Sequence, residues 1–474
     1  MSPLWTLYAM ASAMRAERRG NLPAAVSGIS IDTRTAELAD AFFAIKGDHR
    51  DGHEFVDAAL KAGAFAVVAK SKASQFSKSA PLLIVDDVLD GLRDLARAAR
   101  ARSTAKIVAV TGSVGKTGTK EALRLALSPD GETHASVASY NNHWGVPLTL
   151  ARFPQSARFG VFEIGMNHAG EITPLTKMVR PHVAIVTTVE PVHLEFFGSV
   201  EKIADAKAEI FFGLEPDGVA VLNRDNGQFV RLERAAKAVG ARIVTFGEHE
   251  RADARAIKIC VRPECTTVRA SILGHELTYK IGAPGRHLVN NTLAVLAAAS
   301  LCGADLAHAA LALAQMRPTA GRGERRTLMV PGGNVMLIDE SYNANPASMR
   351  AAIALLGETP VGPTGRRMAV LGDMLELGPQ GAKLHAELAA ALEAAKIDQV
   401  FCAGPLMHSL FEALPSTRRG GYAETAVEIE SAVLGALGPG DAVMVKGSLG
   451  SKMGPVVKAL QRKFPVSAPE DASA

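Results

Sequence analysis

The sequence is poor in the features that mark secreted, membrane-spanning or nucleic-acid-binding chains. Four cysteines in 474 residues, at 260, 265, 302 and 402, have no paired metal spacing, and a lone Cys260–Cys265 bridge would constrain little of so long a chain. They read as reduced, structural thiols of a cytoplasmic protein. No uninterrupted apolar run reaches the length of about 18 residues that a bilayer crossing needs. Basic and acidic residues nearly cancel, 52 against 48, leaving a formal charge of +4 and no reason to expect a nucleic-acid partner. The basic clusters Arg15–Arg19 and Arg322–Arg326 are short and interrupted by Glu, as solvated or ligand-facing clusters are. There is no short-period internal repeat. Pro3–Met14 is apolar and contains Ala11-Ser12-Ala13, which mimics a cleavage site, but its charges follow rather than precede it. An amphipathic first helix is expected there instead of a signal peptide.

What is present is material for cores: 48% hydrophobic and 21% charged residues, in a length that suggests about three domains. Residues 1–103 carry short apolar strands at Val26–Ile31, Ala41–Ile45, Ala64–Ala69 and Leu82–Val85, then an Ala/Arg/Leu helix over Leu89–Ala101. Residues 104–316 alternate strand and helix, with buried parallel-type runs at Ile107–Val110, Val161–Ile164, Val183–Val189, Val219–Leu222 and Ile243–Phe246. An Ala/Leu helix over Asn290–Cys302 follows. The break Arg317-Pro318-Thr319-Ala320-Gly321 opens the third region, 317–474, where strands are expected at Val335–Ile338, Met368–Leu371, Gln399–Cys402 and Ala442–Val445. The fold class expected is α/β, with a doubly wound parallel sheet in the centre and ligands at the carboxyl ends of its strands.

The strongest chemical signal is Ile107–Lys120, IVAVTGSVGKTGTK. A buried strand runs into a turn formed by Thr111, Gly112, Ser113, Val114 and Gly115, and a helix opens on Lys116 and Thr117. Backbone amides freed by the two glycines can converge on phosphate oxygens at the positive end of that helix. Lys116 adds a mobile cation and Thr117 a hydroxyl for Mg2+. The spacing departs from GxxxxGK[ST], because Val110 stands five residues before Gly115. A Gly-rich turn with a solvated lysine is the plainer alternative, and it leaves Lys116 and Thr117 together at a helix start unexplained.

Glu163 ends a strand on the side where a nucleotide would lie, within reach of a metal at the loop. His193 follows the next strand, and Lys207 lies on a helix shortly after. Taken singly these are a loop acid, a filler histidine and an exposed lysine with i, i+4 partners.

Taken together, the segments resemble the Mur ligase family over almost the whole chain. They are TGSVGKT at 111–117, YNNHWGVP at 140–147, EIGMNHAGEI at 163–172, HLEFFGS at 193–199, AKAEI at 206–210, GRH at 285–287, GRGE at 321–324, DESYNANP at 339–346 and LGDMLELG at 371–378. Within the family the pattern is similar to enzymes that add D-alanyl-D-alanine to UDP-N-acetylmuramoyl-tripeptide. The resemblance implies a UDP-substrate domain over 1–103, a P-loop ATPase domain over 104–316, and a Rossmann-like domain over 317–474 that closes on ATP and takes the dipeptide. It implies a cytoplasmic monomer of peptidoglycan precursor synthesis, using ATP and two Mg2+ ions to activate a carboxylate as an acyl phosphate.

By resemblance, Thr117 and Glu163 hold one Mg2+ and His193 helps hold the other, while Lys207 matches the lysine that relatives carbamylate. Asn291 matches an adenine-side asparagine, Leu288 standing where that pattern has another Asn. Arg322 and Asp339 match groups reaching ATP from the third domain. Ser30, Thr33, Arg34, Lys46, Asp51, Gly52 and His53 resemble the uridine diphosphate site. Asn141, Asn142 and His168 are candidates for the tripeptide arm, and Tyr342, Asn343, Asn345 and Lys446 for nucleotide or dipeptide. Gly118 replaces a second hydroxyl in the loop and Leu449 an arginine.

Two relatives and one other class compete. The ligase adding a diamino acid carries an Asp-Asn-Pro-Arg motif absent here, and folylpolyglutamate synthase usually has GKGS where Gly115-Lys116-Thr117-Gly118 stands. A nucleotide-binding relative without turnover shares the fold; Lys116, Thr117, Glu163, His193 and Lys207 together argue against it.

Overall fold

The computed structural model describes residues 3–47, 50–137, 139–192, 194–262, 264–318 and 320–466. Three sheets organise it, of five, nine and six strands, beside a two-stranded ribbon of Trp5–Thr6 with Ala25–Val26. The architecture is multi-domain α/β.

The first sheet runs, in spatial order, Glu17–Arg19, Leu82–Val85, Phe65–Ala69, Ala41–Phe43, Ile29–Ser30, antiparallel only at its first pair. The N-terminal apolar segment forms the helix Leu7–Ala13, capped by Thr6 and burying Leu7, Met10 and Ala11. The helix Val88–Ala101 starts at an Asp87 cap and buries Leu92, Leu95 and Ala99 on this sheet. Leu148 and Ala151 of the helix Gly145–Ala151 join the same core. Trp5 donates its indole N–H to Ala151 O at 2.9 Å, and the Arg102 guanidinium lies 3.4 Å from the Trp5 ring centroid.

The central sheet has a parallel part in the order Arg242–Gly247, Val219–Asn223, Val183–Val186, Lys106–Thr111, Phe159–Glu163, Thr133–Ala135. Its strands are apolar on both faces because both are covered. Val108, Val110, Ile185 and Val221 pack under the helices Lys116–Leu127 and Arg286–Leu301, while Ile107, Ala109, Ala184 and Leu222 pack under Ile172–Val179 and Val200–Ala208. The chain order reverses beside Lys106–Thr111, which lies between Val183–Val186 and Phe159–Glu163. That reversal opens a crevice at the carboxyl ends of these three strands. Beyond Arg242–Gly247 the sheet continues through an antiparallel meander, Ala254–Val261, Thr266–Ile272 and His275–Ile281, which the sequence reading did not anticipate.

The last sheet runs Glu324–Val330, Gly333–Glu340, Ala442–Lys446, Arg367–Gly372, Gln399–Ala403, Arg419–Ala423. Its first pair is an antiparallel hairpin and the rest are parallel. It meets the central region where Glu195 N–H donates to Glu376 O at 3.4 Å. A cavity of about 250 Å³ lies between the two, lined among others by Gly118, Glu121, Leu288, Met316, Arg322 and Glu340.

Candidate active site

Two glycines shape the loop after Lys106–Thr111. Gly112 has φ +149° and a Cβ there would collide with Thr187 Oγ1; Gly115 has φ +86° and a Cβ would stand 2.9 Å from Asn291 Nδ2. Thr187 donates to Val114 O at 2.6 Å. Ser113 is pinned away from the loop's mouth, its N–H on Thr188 O at 2.8 Å and its hydroxyl on Glu190 O at 3.1 Å. Lys116 folds back to donate to Gly112 O at 2.7 Å. Burial lowers its pKa, nearby Glu163 opposes that, and Arg322 adds to it, so the three charges share one neighbourhood.

Glu163 closes its strand with only 2% exposure. Oε1 accepts from Asn141 Nδ2 at 2.7 Å, while Oε2 is buried with no hydrogen-bond partner. Thr117 Oγ1 lies 3.3 Å from Ser139 Oγ, and Ser139 O accepts from Asn141 N–H at 3.0 Å. One segment therefore touches both expected metal-side residues. An orphaned carboxylate oxygen near a lysine, on a segment that also reaches the Thr117 hydroxyl, is a donor set suited to a hard divalent cation with phosphate oxygens. Among the described residues no group of three His, Cys, Asp or Glu could hold a metal unaided.

Lys207, on the helix Val200–Ala208, is 2% exposed. Burial, with Lys116 nearby, holds its pKa well below the usual lysine value. The amine is thus biased toward its neutral form. His193 lies outside the described residues.

The other expected contacts divide into exposed groups and groups engaged within the chain. His168 is largely exposed, with Nδ1 3.1 Å from Glu171 Oε1 and its ring 5.0 Å from Phe196. Asn142 Oδ1 accepts from Gly145 N–H at 2.9 Å, just ahead of the next helix. In the first sheet, Arg34 clasps Asp32 through Nε at 2.9 Å and Nη2 at 2.5 Å yet stays exposed. Ser30 is buried, bonded to Asp32 O at 2.8 Å and Thr35 Oγ1 at 3.1 Å, and Thr33 is half-buried beside it. Asp51 Oδ1 accepts from both N–H and Nδ1–H of His53, and His53 Nε2 accepts from Ala69 N–H at 3.0 Å. Gly52 is required because a Cβ would stand 2.6 Å from Ile45 O. His53 and Asp51 thus frame the turn, while exposed Lys46 pairs in a β-bridge with Asp51. Lys72, 3.8 Å from Asp51, adds a cation that the sequence reading did not single out.

In the last region, Asp339 Oδ2 accepts from Gly321 N–H at 3.1 Å and Oδ1 from Ser341 N–H at 3.0 Å and Oγ at 2.6 Å. It shapes the turn that presents Arg322, whose guanidinium lies 4.3 Å from the Tyr342 ring. Asn345 caps the helix Pro346–Gly357 in a capping box with Ser348. Asn343 Oδ1 accepts from Ala344 N–H at 2.9 Å. Lys446 is 2% exposed and donates to Glu340 Oε2 at 3.1 Å and Asn343 O at 3.0 Å. Sequence reasoning missed Ser139, Thr187 and Glu209, which holds Gly170 N–H at 2.6 Å and Thr173 N–H at 3.0 Å.

Comparison with known proteins agrees along the chain. Residues 25–100 match the model of the Mur ligase family catalytic domain, 110–299 that of the Mur ligase middle domain, and 321–449 that of the Mur ligase glutamate ligase domain. The UDP-N-acetylmuramoyl-tripeptide–D-alanyl-D-alanine ligase of Rickettsia prowazekii is 31% identical over 91% of this chain and 95% of its own length. The enzyme of the same name from Escherichia coli is 35% identical, over 92% and 94%. A crystal structure of MurF from Acinetobacter baumannii superposes with TM-score 0.84 at 29% identity, covering 97% of this chain and all of that one.

Proposed function

The chain belongs to the Mur ligase family, and from that premise we propose that it joins D-alanyl-D-alanine to UDP-N-acetylmuramoyl-tripeptide with consumption of ATP, in peptidoglycan precursor synthesis. The observation that carries the reading is the buried, unpartnered Glu163 Oε2 at the carboxyl edge of the sheet, near Lys116. Near-full-length similarity to ligases bearing that activity supports the choice of substrates.

A carboxylate resists attack by an amine until an oxygen becomes a good leaving group. The enzyme transfers the γ-phosphoryl of ATP to the tripeptide's terminal carboxylate, and the dipeptide's amine then displaces phosphate. Loop amides from Val114 to Thr117 and the Lys116 ammonium hold the phosphates. Thr117 and Glu163 would hold one Mg2+, with His193 and Lys207 at a second; the ions would supply charge neutralisation for the phosphoryl oxygens and carboxylate. Asn141 keeps Glu163 oriented. Lys207 is carbamylated, which its bias toward the neutral amine supports. A carbon-13 carbamate signal from labelled CO2, lost in Lys207→Ala, is expected; its absence from active enzyme excludes the modification.

Residues 1–103, 104–316 and 317–474 act as UDP-substrate, P-loop ATPase and Rossmann-like closing domains, a division supported by each interval holding one large sheet. Three parallel strands of the first sheet lead toward Arg34, Lys46 and Lys72, cations suited to a pyrophosphate. Arg322 and Tyr342 approach the nucleotide from the third, and the enzyme works as a monomer. ATP as co-substrate and four free thiols fit a cytoplasmic enzyme. Phosphate release with ATP, Mg2+, the tripeptide nucleotide and D-alanyl-D-alanine tests the reading. Release only with the dipeptide nucleotide and a diamino acid would assign the chain to the neighbouring step.

A further inference from the structure

We propose that Lys120 is a positioning residue that locks the segment bearing Ser139 and Asn141 onto the phosphate-loop helix, and so sets the geometry at Thr117 and Glu163. Lys120 lies one turn beyond Lys116 on the helix Lys116–Leu127 and is 0% exposed. A buried ammonium is costly unless its donors are satisfied, and an apolar side chain would fill the same space without that cost. Its Nζ donates to Ser136 O at 2.6 Å and pairs with Glu121 Oε1 at 2.8 Å, with Ser136 Oγ at 3.5 Å.

Lys120 grips the segment just where it leaves the sheet. It leaves the sheet after Thr133–Ala135, three residues paired with Phe159–Val161. Three residues beyond Ser136, Ser139 meets Thr117, and two further on Asn141 meets Glu163. A rigid helix thus carries the phosphate loop at one turn and the anchor of the metal-side segment at the next. Glu121 extends the link, holding Arg124 Nε at 3.0 Å where both line the cavity that Arg322 also lines.

Lys120→Met keeps the length and removes the charge. Amide hydrogen exchange over residues 136–142 is expected to quicken by about 10-fold, with the helix Ile172–Val179 unchanged as internal reference. Turnover is expected to fall on the order of 100-fold while the KM for ATP moves less than about threefold. Unchanged exchange at 136–142, or equal quickening in both segments, overturns the proposal. Should Lys120→Met not fold, Glu121→Gln removes the partner carboxylate at a part-exposed position; the same local quickening supports the proposal and its absence overturns it. The kinetic arm rests on the ligase reading, but exchange needs no turnover. A wild-type chain inactive with every Mur substrate would defeat that reading and leave the exchange result to decide Lys120.

Discussion

At position 134 a histidine is half-buried in the edge strand Thr133–Ala135, with Nε2 2.9 Å from Thr149 O. Burial lowers its pKa from 6.5 to about 4. Between those values the unfolded chain binds a proton that the folded one refuses, so stability falls as pH drops through that window. The total loss is on the order of 3 kcal/mol. Urea midpoints measured from about pH 7.5 to about pH 4.5 should decline less steeply in His134→Gln than in the parent. Identical slopes would mean that the ring is not held neutral.

Among the elements, the loop and its helix give the sharpest contrast between two neighbouring glycines. Gly115 has φ +86° and the Asn291 side chain against it, whereas Gly118 has nothing within 4 Å of its missing Cβ. Gly115→Ala is therefore expected to weaken nucleotide binding by at least about 10-fold with the fold kept, since a methyl there strains the turn that presents the amides. Gly118→Ala should instead stabilise the helix by up to about 1 kcal/mol, seen as a higher melting temperature. Legibility in the sequence follows the same local logic. Strands buried on both faces, such as Val183–Val186 and Met368–Leu371 within Arg367–Gly372, announce themselves as apolar runs. The meander from Ala254 to Ile281 does not, because its strands alternate buried and exposed residues and carry Arg255, Lys258 and Arg269. Glu324–Val330 begins with Glu-Arg-Arg and reads as a basic cluster until it is paired with Gly333–Glu340. In the site, Lys116, Thr117 and Glu163 were legible from strand, turn and helix order. Ser139 and Lys120 were not, since their roles exist only once distant segments meet; the one trace was a lysine on the apolar stripe of an amphipathic helix. Asn345, His53 and Lys446 looked like ligand contacts, and the structure gives each of them partners inside its own region.

At the scale of the whole molecule, the proposed chemistry brings the regions together around one nucleotide. Arg322 lies near enough to Lys116 to depress its pKa, although it belongs to the segment that follows the Arg317-Pro318 break. Arg322→Ala should lower turnover by more than about 10-fold while the KM for the dipeptide changes little, as expected for a group acting on the phosphoryl transfer. An equal change in both would tie Arg322 to the dipeptide instead. The account's central claim is that this cleft couples ATP cleavage to one particular amide bond. Its most direct test is mass spectrometry of the nucleotide product after incubation of purified chain with ATP, Mg2+, UDP-N-acetylmuramoyl-tripeptide and D-alanyl-D-alanine. The account predicts the dipeptide-extended nucleotide, with one ADP formed per bond and no product from Glu163→Gln. Unextended nucleotide from the parent chain, or full extension by the variant, would contradict it.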